Sequence, residues 1–203
     1  MTILLFGVSN VGKSTIGELL AHKLNFSFFD LDDEIKKKYD ITLEEFVSTG
    51  SLQERDKKRC RLLRTLVKKT GNKVIAVTPL SYAGAIIPII SSQDVFSIEL
   101  TDTPENIFER LVFSDENDVI YKDDDYKNSR KSHYLADIQE DLLWYGSVYQ
   151  NFTNKFFVNG KLPEEVTDEI VHLYHLAENG DCYVFKTNQT STGYLSCYTG
   201  KLL

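Results

Sequence analysis

The segment Gly7-Val-Ser-Asn-Val-Gly12-Lys13-Ser14 fits the spacing G-x-x-x-x-G-K-[ST], which suits chemistry on a polyphosphate. Such a loop wraps its N–H groups around the phosphates, and glycine at Gly7 and Gly12 relieves the backbone where a Cβ would clash. A helix starting at the loop adds unpaired N–H groups and the positive end of its dipole. Lys13 can lay a compact positive charge on the β- and γ-phosphates, and Ser14 can offer its hydroxyl to Mg²⁺. Asn10, Val11 and Thr15 complete the candidate nucleotide-binding set. The expected ligand is a nucleoside triphosphate with magnesium.

A second group of acids follows, in Phe28-Phe29-Asp30-Leu31-Asp32-Asp33-Glu34. Two readings stand side by side. If Phe26–Phe29 is a strand, it delivers Asp30 and Asp32 to the carboxyl edge of a parallel sheet, beside the phosphate loop. One carboxylate would then hold magnesium through water while the other accepts a proton from an attacking hydroxyl. Alternatively the acids cap and solvate a helix N-terminus, where negative charge is favoured.

The elements that position these groups follow from hydrophobic periodicity. Thr2–Phe6 is a continuous apolar run, and Ser14–Asn25 places Ile16, Leu19, Leu20 and Leu24 on one helical face. Thr42 with Glu45 and Ser51 with Glu54 read as capping boxes for two helices separated by Gly50, the second reaching about Lys69. Val74–Val77, Val95–Leu100 and Lys155–Val158 read as further strands. Pro104 opens a helix carrying Ile107, Phe108 and Leu111. A polar stretch from Ser114 to Ser132 shows no clear periodicity, and helical patterning resumes from about Leu135 to Tyr149 and over Pro163–Leu176. Strands alternating with helices predict an α/β fold, a mostly parallel sheet covered on both faces. The expected division is a kinase-like domain over 1–178 with a lid at about 114–134, and a tail over 179–203. In that tail Tyr183–Phe185 and Tyr194–Tyr198 are candidates for a small hairpin.

Bulk properties narrow the partners. A net charge of −7 in 203 residues argues against a nucleic-acid or anionic-membrane surface. No stretch has the length of a membrane span. Three cysteines without metal spacing, and no signal-peptide pattern, lead us to expect a cytoplasmic protein with reduced thiols. The expected partner is a small-molecule acceptor, and the expected assembly a monomer or weak oligomer.

The runs LLFGVSNVGKSTIGELLAHKLNFSFFDLDDEI, TLEEFVSTGSLQERDKKR and KVIAV resemble the shikimate kinases, small P-loop kinases. The resemblance runs from about residue 2 to 176 and is most specific in the first 60 residues. It implies a three-layer fold with a five-stranded parallel sheet in order 2-3-1-4-5, a closing helical lid, and ATP as the triphosphate. It implies that Asp30 orients magnesium, and that Asp32 holds the acceptor hydroxyl and acts as base. It also implies that Arg55 binds the substrate carboxylate and that Arg110 lies along the nucleotide. By itself, Arg55 is one of six basic residues between Arg55 and Arg64, a pattern a solvated helix face would also produce.

The departures from that family lie on the acceptor side. Thr78-Pro79-Leu80 stands where the family has three glycines, and Pro79 has no N–H to donate. Thr78 is the substrate-side candidate in this loop. Tyr145-Gly-Ser-Val-Tyr149 keeps the tyrosine of a family pattern but lacks its arginine and proline, and Lys58 replaces a glutamate. Losing one arm of an arginine–carboxylate clamp costs about 2–3 kcal/mol, roughly a hundredfold in affinity. Trp144 and Tyr145 are candidates for a more aromatic pocket or for buried packing. Two functions follow: an ATP-dependent kinase acting on a hydroxyl of a small metabolite, with shikimate the first acceptor to test, or a nucleotide-binding module without turnover. ADP release separates them.

Overall fold

The computed structural model describes residues 1–150 and 154–176. The chain runs β1 (Thr2–Phe6), α1 (Lys13–Leu24), β2 (Ser27–Asp30), α2 (Leu31–Tyr39), α3 (Leu43–Ser48), α4 (Leu52–Val67), β3 (Lys73–Ala76) and α5 (Ala83–Ile90). It continues through β4 (Val95–Thr101), α6 (Pro104–Glu109), β5 (Phe113–Ser114), β6 (Ile120–Tyr121), α7 (Asp124–Ser129), α8 (Lys131–Tyr149), β7 (Asn154–Phe157) and α9 (Pro163–Leu173). A five-stranded parallel sheet has the order β2-β3-β1-β4-β7. This is the expected 2-3-1-4-5 order, with the fifth core strand numbered β7 because a β5–β6 hairpin precedes it.

Alternation along β1 creates the three layers. Ile3 and Leu5 face one side, packing with Ile16, Leu20 and Leu24 of α1 and with Val166 and Ile170 of α9. Leu4 and Phe6 face the other, against Leu63 and Leu66 of α4, Ile86 and Ile89 of α5, and Tyr149 of α8. With both faces covered, the central strand is wholly buried and apolar from Ile3 to Phe6.

Helix starts follow local chemistry. Both expected capping boxes form, Thr42 with Glu45 and Ser51 with Glu54, each contributing about 1 kcal/mol. Thr103 caps α6, whose first residue is Pro104. The acids after β2 both cap a helix and reach the site, since Asp30 is the N-cap of α2.

Several expectations need correction. Helix α5 was not expected: Ala83–Ile90 is short, almost wholly apolar and contains Pro88, so no periodic stripe marks it. The polar stretch is not featureless, because Phe113 and Ser114 pair antiparallel with Tyr121 and Ile120, and α7 follows. Helix α8 begins at Lys131 rather than near Leu135, and α9 ends at Leu173 rather than Leu176. The candidate hairpin over 183–185 and 194–198 lies outside the described residues, as does the tail from 179 onward. Among the described residues no helix is long and apolar enough to cross a membrane.

Candidate functional site

The loop between β1 and α1 closes tightly around its own backbone. A Cβ on Gly7 would lie 2.4 Å from the Leu100 carbonyl oxygen, so the loop approaches the end of β4 closer than any side chain permits. Gly12 caps α1 with φ +108, in the region that favours glycine. Asn10 also has positive φ, at 59°. The turn presents Ser9, Asn10, Lys13 and Ser14 to a cavity of about 160 Å³, whose far wall is Asp30, Asp32, Thr78 and Pro79. Thr15 stands exposed on the first turn of α1, and Val11 is buried beneath the loop.

Lys13 is 9% exposed, and its Nζ donates to the Val8 carbonyl at 2.7 Å. Burial pushes its ammonium down to about 8, against the opposing pull of Asp32 and Asp30. A phosphate oxygen arriving in the cavity would give this buried cation a close charge partner.

Ser14 and the acids form one oxygen-rich corner. Ser14 Oγ donates to Asp30 Oδ2 at 2.5 Å, and Asp30 Oδ1 accepts from the Asp32 N–H at 2.9 Å. Hydroxyl and carboxylate oxygens are the hard donors that Mg²⁺ takes. Among the described residues no cluster of three or more His, Cys, Asp or Glu is arranged to hold a metal ion. A corner with so few protein ligands fits a magnesium that brings phosphate and water oxygens with it.

Asp32 lines the cavity beside Thr78 and Pro79. Thr78 Oγ1 donates to Asp32 Oδ1 in a short hydrogen bond. Burial raises the Asp32 pKa above its ordinary value; the Thr78 bond, Arg59 and Lys13 pull it back, while Asp30 adds to the rise. A carboxylate shifted toward neutrality is a better proton acceptor than an exposed one.

Arg110 closes the site from β4 and α6. Its Nη1 donates to the Val11 carbonyl at 3.1 Å, and its Nη2 pairs with buried Asp102. Burial pushes Asp102 up, but donors from Asn106, Arg110, Thr103 and Gly160 together hold it below its ordinary value. Asp102 therefore stays ionised and aims Arg110 across the phosphate loop.

The loop after β3 is held by partners the sequence did not reveal. Asp56, fully buried on α4, accepts at Oδ2 from Ser81 N–H and Ser81 Oγ, both at 2.9 Å, and from Tyr82 N–H at 3.2 Å. Tyr149 at the end of α8 accepts the Leu80 N–H at 2.8 Å. The β5–β6 hairpin is tied to the start of α3, where Asp118 accepts the Leu43 N–H at 3.0 and 3.2 Å.

Most of the expected residues come together here: Gly7, Asn10, Val11, Gly12, Lys13, Ser14, Asp30, Asp32, Thr78 and Arg110. Arg55 is placed differently. Its Nη1 donates to the Gly50 carbonyl at 2.8 Å and the Thr49 carbonyl at 3.4 Å, so the guanidinium folds back on the α3–α4 turn. Trp144 is 57% exposed, whereas Tyr145 is half-buried and stacks on Tyr149. Sequence reasoning missed Asp56 and Arg59, both inside the basic run on α4 yet buried.

Comparison with known proteins identifies the family. The family model for shikimate kinase matches residues 9–175. A shikimate kinase of Persephonella marina is 30% identical over 172 residues, spanning 83% of this chain and 96% of that protein. The crystal structure of shikimate kinase from Aquifex aeolicus superposes with a TM-score of 0.63 at 26% identity, over 85% of this chain and 95% of that one. That of Bacteroides thetaiotaomicron superposes with a TM-score of 0.69 at 20% identity, over 86% and 98%, a likeness of fold. Phosphate loop, paired aspartates and family match thus converge: the chain belongs to the shikimate kinase family of small-molecule kinases.

Proposed function

We propose that the protein transfers the γ-phosphate of Mg·ATP to a hydroxyl of a small metabolite by in-line displacement. The observation that carries this reading is the joining of the two halves at adjacent aspartates. Asp30 is tied to Ser14 of the phosphate loop, while Asp32, two residues on, is tied to Thr78 of the opposite wall.

Each residue has a distinct task. The backbone from Gly7 to Gly12 and the first turn of α1, with Thr15, cradle the phosphates. Lys13 exchanges its bond to Val8 for phosphate oxygens, and Arg110 lies over the loop along the nucleotide. Ser14 and Asp30 would hold the magnesium ion, which, when bound, neutralises charge on the phosphates. Asp32 orients the acceptor hydroxyl and takes its proton as the oxygen attacks, with Thr78 fixing the carboxylate plane. The lid at about 114–134 excludes water when it closes.

The test is ADP release by the purified protein with Mg·ATP, with and without shikimate and simple polyols. An acceptor-dependent rate well above the rate in water supports the reading. Bound Mg·ATP with no ADP formed from any acceptor would instead indicate a nucleotide-binding module without turnover.

A further inference from the structure

One hydroxyl of the chain itself is already hydrogen-bonded to the carboxylate that an acceptor hydroxyl needs. Strand register sets its place. Ala76 at the end of β3 lies opposite Leu5 of β1 on one side and Asp30 of β2 on the other. The pairing continues one residue further, with the Val77 N–H donating to the Leu5 carbonyl at 2.9 Å. Leu5 stands just before Gly7, so the phosphate loop, the paired aspartates and Thr78 leave three adjacent strands at one edge of the sheet. They line the same cavity, with Lys13 and Ser14 on one wall and Asp32 and Thr78 on the other.

The side-chain hydroxyls lining that cavity are those of Ser9, Ser14 and Thr78. Ser9 and Ser14 belong to the phosphate loop and the first turn of α1, the wall that receives the phosphates. Thr78 lies on the opposite wall. Its Oγ1 donates to Asp32 Oδ1, so its proton already points at the carboxylate given the role of base. A hydroxyl that donates in this way keeps both oxygen lone pairs for an electrophile. The backbone is fixed before Thr78 by the Val77–Leu5 bond and after it by the Leu80 N–H, which donates to the Tyr149 hydroxyl at 2.8 Å. Thr78 is 8% exposed, which gives bulk water little access to it. Nucleophile and base are thus in contact, across one cavity from the lysine of the phosphate loop.

We propose that Thr78 is a site of self-phosphorylation, taking the γ-phosphoryl group of bound Mg·ATP when no external acceptor occupies the cavity. The inference rests on the kinase reading and goes beyond it. Thr78 Oγ1 forms a bond to the γ-phosphorus as the bond from that phosphorus to the β,γ-bridging oxygen breaks. The hydroxyl proton passes to Asp32, and ADP leaves. The product adds about two negative charges to the cavity, where Lys13 supplies the opposite charge. It fills the space beside Asp32, so the modified chain no longer takes an external hydroxyl. Thr78 and an external acceptor compete for the same carboxylate, and a saturating acceptor therefore protects Thr78.

The experiment incubates the full chain with Mg·ATP labelled at the γ-phosphate, without acceptor, and follows label and intact mass with time. The expected result is incorporation approaching about one phosphoryl group per chain, located at Thr78 by peptide fragmentation. The first-order rate should not depend on protein concentration, as transfer within one chain requires. Thr78→Val removes the hydroxyl and should abolish the label. Thr78→Ser keeps a hydroxyl and should still be labelled at that position, so the site is tested even if the Val variant fails to fold. Asp32→Asn should slow incorporation about 10²-fold or more. Chain that is purified already phosphorylated at Thr78, while the Asp32→Asn variant is purified unmodified, supports the proposal equally. An unlabelled Thr78 in unmodified protein that binds Mg·ATP and turns over an external acceptor would overturn the inference alone. So would label that survives Thr78→Val, or a rate that rises with protein concentration. Bound Mg·ATP with neither label nor ADP from any acceptor would overturn the inference and the kinase reading together.

Discussion

The nucleotide half and the acceptor half of the site are held together by different kinds of contact. On the nucleotide side the groups are close in the chain: Lys13 bonds to Val8 five residues away, and Ser14 to Asp30 sixteen residues away. Arg110, and Leu100 against Gly7, reach in from far along the sequence. On the acceptor side the wall is built from distant side chains. Asp56 holds Ser81 across 25 residues, Thr78 meets Asp32 across 46, Tyr149 holds Leu80 across 69, and Asp118 holds Leu43 across 75. A local motif carries its geometry with it. A wall assembled from four elements is free to be rebuilt for another acceptor without disturbing the phosphate loop.

The comparison can be broken most forcefully at Asp56. Replacing it with alanine leaves the Ser81 and Tyr82 N–H groups and the Arg59 charge unpaired in the interior, at a cost of about 3–5 kcal/mol. Thermal unfolding should show a large fall in Tm, and Mg·ATP should still raise the Tm of whatever folds. Loss of nucleotide binding in a folded Asp56→Ala protein would show that the halves are not separable.

On the other side, Lys13→Met should lower turnover by about 10²–10³-fold and weaken Mg·ATP binding. Stability should change little or rise, because a buried cation is removed. Equal effects on stability from Lys13→Met and Asp56→Ala would erase the distinction drawn here.

Tyr149→Phe removes one buried acceptor and exposes the comparison at a smaller scale. The Leu80 N–H loses its partner, at a cost of about 1–3 kcal/mol. Acceptor KM should rise while nucleotide affinity holds, measurable by titrating each substrate in turn.

The smallest effect is in pH. Lys13 must be protonated to meet phosphate, and in the free protein it titrates near 8. Mg·ATP affinity should be flat with respect to this group below that pH, and fall by at most about tenfold per pH unit above it. Stability runs the other way, since the folded Lys13 binds its proton less tightly than an unfolded one at 10.5, so between the two values stability rises with pH. Lys13→Met should abolish both trends.

Much of the fold was legible because its signals are local. The apolar runs of β1, β3 and β4 and the Ser51–Glu54 and Thr42–Glu45 boxes name their own elements. Helix α5 was hidden by its lack of polar residues and by Pro88, and the β5–β6 hairpin by strands of two residues each. Within the site, Lys13, Ser14 and Asp30 could be read from spacing. The buried Asp56, which holds the Ser81 turn behind it, could not. The box at Ser51 starts the helix so early that Arg55 falls beside Gly50 and bonds back to it. Burial of Asp56 and Arg59 depends on a turn at Ser81 that no pattern in the basic run announces.

The most direct test of the whole account is Asp32→Asn, assayed for both turnover and Mg·ATP affinity in one preparation. Acceptor-dependent ADP release is expected to fall about 10²–10⁴-fold while nucleotide affinity stays within a few-fold. Full turnover in this variant would contradict the role given to Asp32, and a parallel collapse of Mg·ATP affinity would contradict the division of the site into two halves.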